Sequence, residues 1–377
     1  MTSIRLLPRS GGPMVLLLSL ACTAASPPPG APTDTDARAT RETATPPGGD
    51  VVLRRAMLPG SRSPVDVLVT DGRIGVVGAV PDDVDAAVVD LTGRWIAPAF
   101  IDSHVHVAYL PRGAELRAGG VAAGVDLAMP LESIGADHGG LQVLASGPMI
   151  TAVGGYPTQS WGRNGYGLEV TGAAEAAAAV DALVGAGARV IKVPVGGSAA
   201  LPPDALAAVV TAAHERGVRV AAHALDEAAA ATAAAAGVDV LAHTPTERLS
   251  TETVALWSDR AVVSSLVAFG TGGATLENLA ALRAAGATVL YGTDFGNTRT
   301  ASIQAAELRA LADAGLDGAA ILDAGTAAAA TYWGLEDLGL LEPGRAASLL
   351  VLDADPHLDP VTLSRPVRVW MDGVPLE

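Results

Sequence analysis

The stretch that decides the fold is Ile96-Ala97-Pro98-Ala99-Phe100-Ile101-Asp102-Ser103-His104-Val105-His106, an apolar run that ends in two histidines. Successive side chains of a β-strand point to opposite faces, so His104 and His106 are expected on one face of a strand. A lone His-x-His pair is weak evidence for a metal site, because histidines that only bond to core neighbours produce the same pattern. Its meaning depends on the segments that follow.

Short apolar runs recur after this one, separated by Ala-rich stretches of helical length. The eight predicted strands are 96–106, 121–129, 141–151, 189–195, 219–223, 238–243, 261–267 and 288–294. Intervening helices are predicted at 203–216, 226–236 and 276–285, each followed by a glycine. This alternation indicates an α/β protein with parallel strands, and it predicts a (β/α)₈ TIM barrel over residues 99–337.

The segments on either side of the barrel have a different period. Residues 51–98 and 338–377 show strand-like alternation, with Asp-Gly turns at Asp71-Gly72 and Asp372-Gly373. We therefore predict one small β-sandwich domain formed from both ends of the chain.

The first 50 residues predict export. Arg5 and Arg9 precede a short apolar run that ends at Cys22, and residues 1–22 are typical of a signal peptide. Leu18-Ser19-Leu20-Ala21-Cys22 is similar to a bacterial lipoprotein box, although that pattern usually has leucine where Ser19 stands. We predict lipidation at Cys22, a disordered Ala/Pro/Thr-rich tether over 23–50, and a membrane-anchored lipoprotein that is periplasmic or on the cell surface. Secretion with cleavage nearby is the alternative.

The charge balance excludes some partners. The chain has 24 basic and 40 acidic residues, a net charge of −16. Nucleic-acid binding needs a basic face, so we predict no nucleic-acid partner and no membrane contact except through a lipid at Cys22. Nothing in the sequence indicates an oligomeric state.

Further polar residues fall in the predicted barrel strands, most at their carboxyl ends, where the functional loops of such barrels gather. These residues are Lys192, which is the sole lysine, and His223, His243 and Asp294. Each has a plain structural alternative: chance for the lysine, a core role for each histidine, and a helix cap for the aspartate. Several neutral imidazoles converging on one place are hard to satisfy separately, and shared metal coordination would satisfy them together.

The order His-x-His, Lys, His, His, Asp over these strands resembles the amidohydrolase superfamily. Residues 97–102 and 339–347 are similar to that family's passages between the sheet domain and the barrel. Leu144-Ala145-Ser146-Gly147-Pro148 resembles the branch of imidazolonepropionase-like enzymes that includes Xaa-Pro dipeptidases. Ser348 departs from the family, which usually has aspartate there.

The resemblance implies a hydrolase of C–N bonds with a binuclear metal centre. Lys192, carboxylated by CO₂, would bridge two divalent metals, for which zinc is the best fit, together with a shared hydroxide. His104, His106 and Asp294 would hold one metal, and His223 and His243 the other. Asp294 would also be the catalytic residue that moves the proton.

Polar and aromatic residues in the predicted loops bear on the substrate. We predict a small-molecule amide, such as a dipeptide or an N-acyl amino acid, with Tyr109, Tyr156 and Arg163 as candidate substrate-binding residues. Ordinary loop structure is the alternative for these three. Two other functions stay open: a mononuclear cyclic amidohydrolase or deaminase, which would lack a metal-binding lysine, and a non-catalytic surface binding lipoprotein.

Overall fold

The computed structural model describes residues 49–197 and 199–376. The predicted signal peptide, Cys22 and all but the last two residues of the predicted tether lie outside the described residues. In the part of the chain that is described, no helix is both long enough and apolar enough to cross a membrane.

The strands are β1 Val51–Met57, β2 Pro64–Thr70, β3 Arg73–Gly78, β4 Ala87–Asp90, β5 Trp95–Pro98, β6 Phe100–Val105, β7 Val121–Asp126, β8 Gln142–Ala145, β9 Met149–Ala152, β10 Gly167–Val170, β11 Val190–Pro194, β12 Arg219–His223, β13 Val240–Leu241, β14 Ala261–Val263, β15 Thr288–Leu290, β16 Leu349–Leu352, β17 Arg368–Met371 and β18 Val374–Leu376.

The helices are α1 Gly113–Ala118, α2 Ala173–Gly185, α3 Pro203–Glu215, α4 Glu227–Ala235, α5 Thr251–Leu256, α6 Leu266–Phe269, α7 Ala274–Ala284, α8 Ala305–Asp313, α9 Gly318–Gly325 and α10 Ala327–Trp333. Short 3₁₀ helices lie at Leu131–Ser133 and Pro360–Ser364.

Strands from both ends of the chain join one eight-stranded sheet. Its order is β18-β17-β16-β5-β1-β2-β3, and β4 pairs with β1. The hairpin turns are the two predicted Asp-Gly pairs: φ is 51° and 75° at Asp71 and Gly72, and 53° and 78° at Asp372 and Gly373. Two successive positive φ values match the twist of a tight hairpin, which explains why Asp-Gly stands at both turns. The sheet has its own apolar cluster, which includes Leu53, Ile74 and Trp370.

The remaining strands pair in parallel and alternate with helices, so the described chain is a mixed α/β structure. Their sheets have the orders β6-β7-β8, β9-β10 and β11-β12-β13-β14-β15. The N–H of Arg189 donates to the Ala145 carbonyl at 2.9 Å, beside the ends of β11 and β8. The segment after β15 returns to β6, where Val105 and Phe295 form a parallel bridge.

The predicted strand over 96–106 is two strands. Trp95–Pro98 pairs antiparallel with β16 in the terminal sheet, whereas Phe100–Val105 pairs in parallel with β7. The chain therefore passes from one sheet to the other at Ala99. Likewise, the predicted strand over 141–151 is interrupted by Gly147, which has a φ of 68°, so that β8 and β9 join different partners.

Two later strands end earlier than predicted. The predicted strand over 261–267 stops at Val263, because Ser265 has a φ of 42° and α6 begins at Leu266. The predicted strand over 288–294 stops at Leu290, and Asp294 has a φ of 52°. These left-handed residues cannot continue a strand, and they turn the chain at the edge where the polar side chains gather.

The predicted helices agree with α3, α4 and α7 to within two residues at each end. Asp226 caps the start of α4, where its carboxylate accepts the Ala229 N–H at 2.7 Å. Such a cap satisfies one of the free N–H groups of the first turn. This cap fixes the segment that follows His223.

Candidate metal centre

His104 and His106 lie at the end of β6 with Asp294 beside them. The two Nε2 atoms are 3.3 Å apart, and Oδ1 of Asp294 is 3.1 Å from Nε2 of His106 and 3.6 Å from Nε2 of His104. All three residues are buried, and one ligand atom from each lies within 4.8 Å of the others. The structure therefore brings these three predicted ligands together as a group that could hold a metal ion.

His243 and His223 extend this group on the other side. The ring of His243 is centred 4.5 Å from that of His104 and 5.0 Å from that of His223. His223 ends β12, which pairs with β11 in the register Pro194–His223 and Lys192–Ala221. Nδ1 of His243 is buried and has no hydrogen-bond partner. This buried nitrogen is therefore left without a partner, and it could bind a metal ion if it carries the lone pair of the neutral ring.

Lys192 lies on β11 with its side chain fully buried. Its Nζ has no hydrogen-bond partner. Burial lowers the pKa of Lys192 to about 7, although the charge of Asp294 acts to raise it. A buried, unpartnered amine is costly as an ammonium ion, so a large fraction of it is neutral near neutral pH.

The pKa values of the histidines separate them into two kinds. Burial, reinforced by neighbouring positive charge, lowers the pKa of His223 to about 3 and that of His104 and His243 well below the ordinary value. Burial also acts on His106, but Asp126 and Asp294 raise its pKa to about 9. The neutral imidazoles present lone pairs that can coordinate a metal ion.

The pKa of Asp294 is lowered. Burial acts to raise it, but the interactions of the carboxylate with His104 and His106 outweigh burial. Nδ2 of Asn297 adds hydrogen bonds of 3.0 Å to both carboxylate oxygens. Asp294 is therefore held as an ionised carboxylate, ready to bind a cation or to accept a proton.

The residues present fit divalent metal ions. The donor set consists of buried imidazoles and a carboxylate, which suit zinc. The unpartnered Nδ1 of His243 belongs to a ring that contacts His104, and the unpartnered Nζ of Lys192 feels the charge of Asp294. Without a further group, these polar atoms would carry the cost of burial without a partner.

Sequence reasoning missed Asp126, which ends β7 and is fully buried. It accepts the N–H groups of Val107 and Ala128 at 2.8 and 3.1 Å, and its Oδ1 lies 3.8 Å from Nδ1 of His106. A carboxylate at the end of a second apolar strand is the signal that could have identified it. Asp126 stands where it can orient His106, as carboxylates beside metal-binding histidines do.

A deeper carboxylate supports the same strand ends. Asp102 accepts the hydroxyl of Thr293 at 2.6 Å and the N–H of His104 at 3.1 Å. Burial raises its pKa to about 7, although these hydrogen bonds act to lower it. Asp102 thereby ties β6 to the segment that carries Asp294.

The predicted substrate residues lie at different distances from this group. Tyr156 stacks on His223 with the ring centroids 4.9 Å apart, and Tyr109 contacts the ring of Trp161 at 5.5 Å. Nη2 of Arg163 donates to the Gln159 carbonyl at 3.1 Å, and the arginine is exposed. The described contacts therefore bring Tyr156 to the histidines, Tyr109 one ring further away, and Arg163 only to its own loop.

The sequence profile described as "Amidohydrolase family" matches residues 136–376, more than half of the chain. A curated adenine deaminase from Deinococcus deserti (strain DSM 17065) is 44% identical over 64 residues, which cover 16% of this chain and 12% of that protein. The chain thus spans only about an eighth of the length of that relative.

Solved structures share the fold over most of the chain. A Xaa-Pro dipeptidase with bound methionine in its active site matches with a TM-score of 0.75 and 19% identity, covering 87% of this chain and 100% of that one. A prolidase complexed with N-methylphosphonate-L-proline matches with a TM-score of 0.74 and 21% identity, covering 87% and 99%. At these identities, the likeness establishes the fold.

Proposed function

This chain belongs to the amidohydrolase family, and from that premise we propose that it is an enzyme that hydrolyses the C–N bond of a small-molecule amide. The observation that carries the proposal is the buried cluster of His104, His106 and Asp294 beside the unpartnered amine of Lys192. Members of a metal-dependent hydrolase family need such donors, and a structural core does not.

Two divalent metal ions, with zinc as the best match to the donors, would polarise the amide carbonyl and activate water when bound here. His104, His106 and Asp294 would hold one ion, and His223 and His243 the other. The neutral amine of Lys192 would add to CO₂, forming an N–C bond and releasing one proton. The resulting carbamate is an anion that would bridge the two sites.

Asp294 is proposed as the catalytic residue. Its ionised carboxylate contacts His106 and is oriented by both hydrogen bonds from Asn297. From there it would take a proton from the attacking water and pass it to the departing amine. Tyr156, stacked on His223, would contact the substrate at the other side of the cluster.

The substrate we propose is a dipeptide or an N-acyl amino acid. The structural similarity to a Xaa-Pro dipeptidase and to a prolidase supports this class of substrate. Their low sequence identity to the chain by itself establishes only a shared fold. A second candidate is a single-metal deaminase or cyclic amidohydrolase, which the short match to adenine deaminase favours. The buried Lys192 favours the first candidate, the dipeptide or N-acyl amino acid hydrolase, because a single-metal site needs no lysine ligand.

Two structural inferences accompany the proposal. We infer that the parallel strands form a closed (β/α)₈ barrel, because β15 is followed by the Phe295 bridge back to β6. We infer that the terminal sheet folds as a β-sandwich around its own apolar cluster. We also propose export with a lipid anchor at Cys22, on the sequence of residues 1–22 alone.

The test is the hydrolysis of a panel of dipeptides and N-acyl amino acids by metal-supplemented protein, compared with Asp294→Asn. The amide cannot take the proton, so we expect the variant to lose at least about a hundredfold in kcat. Asn297→Ala, which removes only the two supporting hydrogen bonds, should lose less. Full activity of Asp294→Asn at unchanged metal content would contradict the role assigned to Asp294.

A further inference from the structure

Aromatic residues are rare in this chain, at 3% of the sequence, yet they concentrate at the histidine cluster. Three of the five tyrosines (Tyr109, Tyr156 and Tyr166), together with Trp161, form a connected set of ring contacts there. We refer to these four residues as the aromatic wall. A chain with so few aromatic side chains would not gather four at one place by composition alone.

Trp161 is the centre of the aromatic wall. Its ring is centred 5.2 Å from that of His106, 5.5 Å from that of Tyr109 and 5.4 Å from that of Tyr166. Its Nε1 donates to the hydroxyl of Tyr156 at 2.8 Å, and Tyr156 in turn stacks on His223. The wall therefore runs from one side of the proposed metal centre to the other.

The aromatic wall presents ring surface to solvent beside a polar site. Tyr109 and Tyr156 are 39% and 37% exposed, although an aromatic ring gains free energy by burial. Exposed rings next to a reactive group are typical of a surface that receives a ligand.

The aromatic wall suits an uncharged group. Its four side chains are three tyrosines and a tryptophan, which carry no charge at neutral pH. The cation–π contacts of the described chain, Arg219 with Tyr332 and Arg260 with Trp257, do not involve the wall. The ring surfaces of the wall are therefore free to contact an uncharged ring.

We propose that the substrate carries an uncharged aromatic ring next to the scissile amide, and that Trp161 stacks against this ring. The proposal rests on the amide hydrolysis proposed above, and it narrows the substrate to acylated or dipeptide-linked amino acids with an aromatic group. Offset or edge-to-face ring contacts would favour such a ring over a saturated ring of the same size.

A pair of probes separates stacking from simple burial. N-Benzoyl-L-phenylalanine has an aromatic ring on both sides of the amide, so the test does not depend on which side contacts Trp161. Its counterpart with both rings saturated has the same charge and nearly the same size. The saturated rings are the more apolar, so burial alone would favour the saturated compound.

The measurements are the Kd of each probe, by calorimetry on metal-supplemented protein carrying Asp294→Asn so that the probe is not turned over, and the kcat/KM for its hydrolysis by the unmodified protein. With the aromatic wall intact, we expect the aromatic probe to bind roughly fivefold to tenfold more tightly. Trp161→Leu should abolish this preference, Trp161→Phe should retain it, and Trp95→Leu in the terminal sheet should leave it unchanged. Where Trp161→Leu does not fold, Tyr109→Leu, which removes a partly exposed ring, should weaken the same preference.

Equal binding of the two probes when the aromatic wall is intact, or a preference that survives Trp161→Leu, would overturn the proposal. The outcome for the proposed function is separate. Aromatic preference in binding without hydrolysis would contradict the hydrolase assignment and support the aromatic wall. Hydrolysis of both probes with equal kcat/KM would support the hydrolase and contradict the aromatic wall.

Discussion

At the scale of single residues, the site buries polar and ionisable groups whose burial is costly for each group by itself. The amine of Lys192 is fully buried without a hydrogen-bond partner, and Nδ1 of His243 is in the same position. The pKa of Asp294 is lowered while that of Lys192 is lowered to about 7, so the cluster holds an anion beside a partly neutral amine. Metal coordination would satisfy all of these groups together.

The six proposed ligand positions were predictable from sequence because each polar residue lies within or just after an apolar run. Asn297 could not be predicted, because it acts through Asp294 from a loop. Asp126 had a signal in its place at the end of an apolar strand, but its hydrogen bonds go to the backbone and its carboxylate lies 3.8 Å from Nδ1 of His106. The connected rings around Trp161 could not be predicted either, because their contacts join two separate loops: the one after β6, which carries Tyr109, and the one between β9 and β10, which carries Trp161.

Arg163 provides a residue-scale prediction about the substrate carboxylate. Its guanidinium is exposed and donates to the Gln159 carbonyl of its own loop, and we propose that it also contacts the substrate carboxylate. Arg163→Met should then raise KM about tenfold for N-acyl amino acids and leave neutral amides nearly unchanged, because neutral amides have no carboxylate to lose a charged partner. Arg112→Met is the matched control, since Arg112 is bound to Glu115 and to the Arg299 carbonyl. Steady-state kinetics on both substrate classes measure this difference in KM. An equal rise in KM for neutral amides would reject the carboxylate contact.

At the scale of elements, the loop after β14 depends on α8. Glu307 is fully buried on α8, and its two carboxylate oxygens accept the N–H groups of Leu266 and Val267, each at 2.9 Å. These residues begin α6, whose Phe269 ring is centred 4.4 Å from that of His243. Glu307 thus positions the short helix that packs on a proposed metal ligand.

This element was predicted as a continued strand over 261–267. Its apolar residues fit a strand, but the left-handed Ser265 and the distant Glu307 make it a turn followed by a helix. A contact between residues about forty positions apart leaves no local pattern in the sequence. By contrast, the Asp-Gly turns were predictable, because a two-residue hairpin imposes its backbone angles on the residues themselves.

Glu307 yields a pH prediction for stability. Burial raises its pKa to about 7, although hydrogen bonds to Ser264, Val267 and Leu266 act to lower it. A raised folded-state pKa contributes stability below the unfolded-state value, and that stability is lost as pH rises through about 7. We therefore expect the free energy of unfolding of the unmodified protein, relative to Glu307→Gln, to fall between about pH 5 and pH 8, by at most on the order of 3 kcal/mol.

Denaturant unfolding across this pH range measures the difference. Glu252→Gln, at an exposed position of α5, reports the effect of removing a carboxylate from the surface. Parallel pH profiles for the unmodified protein and Glu307→Gln would show that Glu307 does not bind its proton more tightly in the folded state.

At the scale of the whole molecule, the described chain consists of a sheet formed from both ends and a series of parallel strands that alternate with helices. The parallel strands bring distant residues, from His104 to Asp294, to one edge. The amidohydrolase family was identifiable from sequence because the order of its polar residues can be read directly along the chain. The point where the chain leaves the terminal sheet, at Ala99, could not be predicted, because the same apolar run continues through β5 and β6, which belong to different sheets.

The central claim is that Lys192 is part of a two-metal centre, and metal content per chain tests it most directly. Elemental analysis of metal-supplemented protein should find two divalent ions in the unmodified protein and a marked loss in Lys192→Ala. Lys192→Arg, which keeps a positive charge but cannot form a carbamate, should show the same loss. One metal per chain, indifferent to Lys192, would contradict the bridged centre and favour the single-metal alternative, and no metal after supplementation would contradict both.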